Sequence, residues 1–253
     1  MSKNVLLPLT IAAMFALAGC ASGGAETGDP SAPAEAKPEA TASATAGNSA
    51  KPANGAQLDA QTLADIAQEI AGENSDAQII DEDAMRAQLP MAEQNMKSMK
   101  IEPAKCASIV SADLKAEFDK MNMITLALPG DTAVEGVQVA IASYTDPADA
   151  TANIEQSQKM LEDCSTFSMT MQGQKVEMKV SEITAKTKAA VTEANRSVVS
   201  VPGGEIPTIA VSAQDGRNLI SVSVMGGSNE ADDINQAQDL VNSVLTMIEE
   251  KAS

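Results

Sequence analysis

Two spacings of apolar residues alternate along the chain and predict its elements. Leu58, Leu63, Ile66, Ala67 and Ile70 fall on one face at helical spacing, and Gly72 marks the stop. Met85 and Leu89 follow the acidic run Asp81-Glu82-Asp83 at the same spacing. Pro90 is expected to interrupt that helix, with Met91 or Ala92, Met96 and Met99 resuming it. Leu114 opens a short helix after Ser111, ending near Lys120. Asp146 is placed to cap a helix that starts at Pro147 and runs to about Glu162, with Ala150, Ile154, Ser157 or Gln158, and Leu161 inward. Ser228 or Asn229 caps a last helix, whose first turn holds Glu230, Asp232 and Asp233. Ile234, Ala237, Leu240 or Val241, Val244, Leu245 and Ile248 form its apolar stripe.

Between these segments the period falls to two. Ile124, Leu126 and Leu128 alternate with Met123, Thr125 and Ala127, and Val137, Val139 and Ile141 alternate with Gln138, Ala140 and Ala142. Phe167, Met169 and Met171 lead through Gln172-Gly173-Gln174 to Val176, Met178 and Val180. The interleaved Lys175, Glu177 and Lys179 face water, the one-sided alternation of an antiparallel sheet. Val191 to Val201 reads as a further strand. Ile209, Val211 and Ala213 pair across Asp215-Gly216 with Ile220, Val222 and Val224, a strong hairpin signal. Gly203-Gly204 and Gly226-Gly227 are turn glycines and not a phosphate cradle. Helices flank strands without strict alternation, so the fold class is α+β: an antiparallel β-sheet with helices packed on one face. The domain spans 58–253.

The start of the chain is patterned differently. An apolar run from Val5 to Ala18 follows the single cation Lys3 and is too short to cross about 30 Å of hydrocarbon. It closes on Leu17-Ala18-Gly19-Cys20, which resembles the lipobox of a bacterial lipoprotein signal. That resemblance implies a signal peptide over residues 1–19, removal at Cys20 and a diacylglycerol on the Cys20 sulfur. Two acyl chains hold a protein on a membrane stably. The stretch 20–57 is Ala, Gly, Ser, Thr, Pro and Glu with almost no large apolar side chain, and reads as a disordered tether. Such a tether spans roughly 30–35 Å. Expected localisation is the outer side of the cell membrane, lipid-anchored.

Composition narrows the chemistry. There are 35 Asp and Glu against 17 Lys and Arg, a net charge of −18, and loss of Lys3 with the signal makes it −19. That charge works against a nucleic acid partner, and 2% aromatic content gives no stacking platform. Without histidine there is no Ser-His-Asp or Cys-His machinery and no imidazole ligand. No serine stands three residues before any lysine, which excludes a Ser-x-x-Lys dyad. The acidic clusters Asp81-Glu82-Asp83, Glu162-Asp163 and Asp232-Asp233 lack the spacing of a calcium loop and sit at helix ends as solvated caps. The chain is read as no enzyme: no catalytic, cofactor-binding or metal-ligating residue is assigned.

Three cysteines become an even pair once Cys20 carries lipid. Cys106 and Cys164 are then expected to form a disulfide, since neither CxxC spacing nor histidine supports a redox or metal pair. Fourteen methionines replace the missing aromatics as core filler, or line an adaptable apolar cavity. Arg196 and Arg217 lie in or near strands, where either could orient an anionic group or make an ordinary ion pair.

Several of these features occur together in one known layout. Pro103 to Cys106 ahead of a short helix, the Val137–Tyr144 strand, Asp146-Pro147 opening a helix that ends at Cys164, and the hairpin after it form that set. Residues 79–250 thereby resemble the extracellular sensor-type domain of actinobacterial serine/threonine kinases of the PknH group and of related lipoproteins. The resemblance implies an antiparallel sheet with helices and a ligand-accepting cleft. Family members typically add a second disulfide and often a Trp near the helix-ending cysteine, both absent here. The reading is a lipid-anchored cell-surface binding or sensor-type lipoprotein for a small-molecule, lipid or protein ligand. The alternative is a carrier of lipid or another hydrophobic molecule in the cell envelope.

Overall fold

The structure, a computed structural model, describes residues 56–110, 113–132, 134–171, 173–201 and 204–251. The signal segment, Cys20, most of the tether, Ser111, Gln172 and Gly203 lie outside the described residues. In chain order the elements are α1 (Ala60–Ala71), β1 (Gln78–Ile80), α2 (Glu82–Ser98), β2 (Lys100–Glu102), a 3₁₀ helix (Ala104–Val110) and α3 (Leu114–Phe118). There follow β3 (Met121–Pro129), β4 (Gly136–Tyr144), α4 (Pro147–Asp163), β5 (Thr166–Met171) and β6 (Gln174–Glu182). Last come β7 (Val191–Val201), β8 (Gly204–Asp215), β9 (Asn218–Met225) and α5 (Glu230–Lys251).

The nine strands form one sheet in the order β1-β3-β4-β9-β8-β7-β6-β5-β2. Every neighbouring pair is antiparallel. The fold is therefore the α+β class that the pattern predicts. The Asp215-Gly216 hairpin forms as expected, with Asp215 opposite Asn218 and Gly216 at φ 58°. β1 and β2 have only three residues each and sit at opposite edges of the sheet. The chain between them must cross the full width of the sheet, and α2 makes that crossing.

Register assigns the apolar positions to faces. Ile124 opposes Ile141, which opposes Ile220 and through it Ala213. This row joins Leu63 and Ile66 of α1 and Val241, Val244 and Leu245 of α5 in the largest core cluster. On the opposite face Met123 opposes Ala142 and then Leu219, packing with Met85 and Leu89 of α2, Leu114 and Phe118 of α3, and Ala150 and Ile154 of α4. Farther along that second face, Phe167, Met169, Met178, Val180 and Val199 close over Cys106 and Cys164. The central strands are thus covered by helices on both sides. One-sided cover holds at β6, where Lys175, Glu177 and Lys179 are exposed. That segment carried the visible alternation. Strands such as Asn218–Met225, buried throughout but for Met225 although Asn218, Ser221 and Ser223 are polar, are covered on both faces.

α2 runs unbroken through Pro90. The ring removes one backbone hydrogen bond, on the exposed side of the helix, while Met85 and Leu89 remain packed. Asp81 and Asp146 cap their helices as read, accepting from the amides of Ala84 and Ala148. Cys106 and Cys164 are joined as a disulfide with Cα atoms 5.7 Å apart. At the domain's entry, Ser143 Oγ accepts the Leu58 amide at 2.8 Å and donates to Asn218 Oδ1 at 2.7 Å. The Asn122 side chain donates to the Leu58 carbonyl at 2.8 Å, so the start of the domain is tied to three strands.

Candidate binding pocket between α4 and the β6–β7 strands

Most singled-out side chains have structural duties. Arg86 Nε donates to Glu82 at 2.7 Å, while its two terminal nitrogens reach Asp119 Oδ1 at 2.9 Å and the Phe118 carbonyl at 2.8 Å. The Asp119 and Phe118 contacts brace α2 against the end of α3, and the Glu82 and Asp119 carboxylates raise the guanidinium pKa. Arg196 pairs with Glu230 at 3.2 Å, and Arg217 donates to the Thr145 carbonyl at 2.6 Å. Neither arginine faces the pocket described below. Met85, Met121, Met123, Met169 and Met178 are buried in the core. Asp232 and Asp233 occupy the first turn of α5, where burial raises the Asp233 pKa.

A cavity of about 700 Å³ opens between the second half of α4 and the ends of β6 and β7. Helix α4 supplies Gln158, Leu161 and Glu162, and β6 with the following segment supplies Val180 to Ala185. Thr192, Glu193 and Ala194 of β7 complete it. The segment after β6 lacks regular structure yet is pinned at several points. The Ile183 amide donates to the Ala194 carbonyl at 3.0 Å, the Lys186 amide to Gln238 at 2.6 Å, and the Lys188 amide to Asn242 at 2.8 Å. Thr187 and Thr192 hydroxyls meet at 2.6 Å. Helix α5 thus fixes the chain at Lys186 and Lys188, directly after the stretch that walls the cavity.

Glu193 is the unusual group. It is 8% exposed, and its Oε1 accepts the Ser157 hydroxyl of α4 at 2.9 Å. Its Oε2 is buried without a hydrogen-bond partner among the described residues. Burial pushes its carboxyl pKa up, Glu182 adds to the rise, and the Ser157 hydrogen bond opposes it. No lysine or arginine lines the cavity, whereas Glu162 and Glu182 do. The sequence reading passed over Glu193. With Asn195 and Ser197 it makes the polar half of an alternating strand, which locally reads as the wet face. Those three residues are 7–9% exposed in the fold. The one signal available was a Glu inside a run that reads as a strand.

The comparisons bear on this architecture. A profile described as the PknH-like extracellular domain matches residues 55–251, most of the chain. The chain belongs to this family. Among solved structures, the extracellular domain of PknH from Mycobacterium tuberculosis is similar at 14% identity with a TM-score of 0.52. That match covers 78% of this chain and 99% of the other. A protein of Mycobacterium smegmatis is similar at 14% identity over 76% of this chain and 97% of its own, with a TM-score of 0.41. No curated protein matches. At such identity the PknH likeness speaks for the fold. No group of three or more His, Cys, Asp or Glu suited to a metal occurs among the described residues. Nor is any helix there long and apolar enough to cross a membrane.

Proposed function

We propose that the chain is a lipid-anchored, extracytoplasmic binding lipoprotein of sensor type, without catalysis, and that the α4/β6–β7 cavity takes its ligand. The carrying observation is the cavity itself, lined by α4, β6 and β7 within a domain of this family. Family membership supports the sensor reading, and the apolar run ending at Cys20 supports the anchor.

Thermal-shift screening of the chain against envelope metabolites, peptides and lipids tests the binding reading. A ligand is expected to raise the midpoint, and silence across all classes counts against it. For the anchor, Cys20→Ala is expected to move the protein from the membrane to the soluble fraction. Retention of that variant on membranes overturns the anchor. The carrier alternative draws on methionine abundance, but Met85, Met121, Met123, Met169 and Met178 are packed in the core and no methionine lines the cavity. Native mass spectrometry of membrane-extracted protein revives the carrier reading only if lipid co-purifies.

A further inference from the structure

The cavity lies where one lane of the sheet falls vacant. β5 pairs with β6 from Met171 opposite Gln174 to Thr166 opposite Lys179, and one bond follows, from the Val180 amide to the Ser165 carbonyl at 2.8 Å. The line of β5 ends there, because Cys164 is already the C-cap of α4 and the chain before it belongs to that helix. β6 runs on past this point. Ser181 and Glu182 stand opposite Arg196 and Asn195 of β7, and the Ile183 amide reaches the Ala194 carbonyl at 3.0 Å. Successive residues of a strand turn their N–H and C=O groups to opposite sides. Val180 bonds toward β5 and Ile183 toward β7, so Glu182 shares the direction of Val180. Its amide and carbonyl therefore point into the vacated lane, where neither has a backbone partner among the described residues. Gln158, Leu161 and Glu162 of α4 line the same cavity, with Ser165 where β5 stops.

We propose that this lane takes an extended peptide segment, laid beside β6 as a short added strand and hydrogen-bonded main chain to main chain with Glu182. The inference rests on the binding reading above and names the ligand class for that same cavity. An open strand edge is a template for another chain, and an added strand gains affinity from main-chain bonds and specificity from the pockets beside it. A donor and an acceptor on one strand residue match the repeat of an extended peptide, which a lipid tail does not offer. The outer edges of the sheet are less inviting. β1 and β2 have three residues each, and β2 carries Lys100 and is followed by Pro103. A peptide residue opposite Glu182 turns its side chain to the same face as Glu182. Leu161 and Val180 offer apolar contact in that cavity, while Glu162 and Glu182 repel an acidic side chain.

The test is a nuclear magnetic resonance titration of the full-length ¹⁵N-labelled protein with three blocked hexapeptides. In them alanine alternates with threonine, with lysine or with glutamate. Physiological ionic strength screens general attraction of the lysine peptide to the acidic surface. The threonine and lysine peptides are expected to shift resonances within 158–165 and 180–185 saturably, and the glutamate peptide to bind most weakly. Methylating alternate backbone nitrogens of the threonine peptide removes its main-chain donors and should weaken binding about tenfold. Glu182→Pro removes the donor that faces the lane, while bonds to β7 are carried by Ser181 and Ile183, and should cost a similar factor. Should that variant fold poorly, the methylated peptide tests the same pairing from the other side. Equal binding by the methylated peptide overturns the inference, and so do shifts confined to Gln78–Ile80 or Lys100–Glu102. Absence of cavity shifts with all three peptides at millimolar concentration also overturns it. If a metabolite or lipid from the thermal-shift screen then shifts those residues, the peptide assignment falls and the binding reading stands.

Discussion

The Cys106–Cys164 bridge is the largest single covalent restraint on the described domain, and its removal has a calculable effect. It joins the 3₁₀ helix after β2 to the C-cap of α4, across 58 positions of sequence. In the chain-entropy account a loop of that length withdraws about 4 kcal/mol of freedom from the unfolded state. Both sulfurs are buried, at 0% and 4% exposure, among Ile101, Phe167, Met169 and Met178. A Cys106→Ala, Cys164→Ala double variant therefore loses packing as well as the link, whereas reduction of the wild type loses the link alone. For a domain of about 195 residues, 4 kcal/mol corresponds to a fall in melting temperature of about 8–16 °C. Circular dichroism melts of oxidised, reduced and double-alanine protein measure the three terms. The reduced protein should account for most of the loss, with the double variant slightly lower still. A reduced midpoint within about 2 °C of the oxidised one refutes the reasoning. It would mean that the packed cluster holds the two segments together without the bond.

Three other outcomes follow from particular atoms. Tyr144 is fully buried and its hydroxyl has no partner among the described residues, so Tyr144→Phe should stabilise by about 1 kcal/mol in urea unfolding, and a comparable loss would point to an undetected partner. Gly226 has φ 73°, and an added Cβ would stand 2.6 Å from the Val134 carbonyl, so Gly226→Ala should cost at least about 1–2 kcal/mol and a neutral result would place that turn elsewhere. Glu193 has a folded pKa raised above its unfolded value, so its favourable contribution is complete below the unfolded pKa and is lost as pH rises through the folded one. Glu193→Gln should therefore gain stability over wild type as pH rises from the ordinary carboxylate range upward, and a difference that stays flat with pH contradicts a buried, poorly solvated carboxyl.

What the sequence could show depended on the range of each signal. Asp146 before Pro147, the Asp215-Gly216 turn and the apolar stripe of α5 are local patterns, and the fold uses them as read. β1 and β2 were invisible because three residues carry no period. Lys100-Ile101-Glu102 becomes a strand only by pairing with β5, far along the chain. Pro90 reads as an interruption, yet packing of Met85 and Leu89 carries the helix through it. The candidate pocket was hidden for a related reason. Whether Glu193 faces water or a cavity depends on where α4 crosses the sheet, and nothing near residue 193 encodes that crossing. The cysteine pairing was legible by counting, because assigning Cys20 to lipid leaves one possible partner for each remaining thiol.

Hydrogen–deuterium exchange of the full-length protein, with and without a low-molecular-weight extract of the cell envelope, addresses the binding reading most directly. Ligand in the cavity should slow exchange in 158–165 and 180–194, with the exposed edge around Lys100–Glu102 unaffected. Unchanged exchange in both cavity segments, from an extract of the cell that makes the protein, would contradict the account.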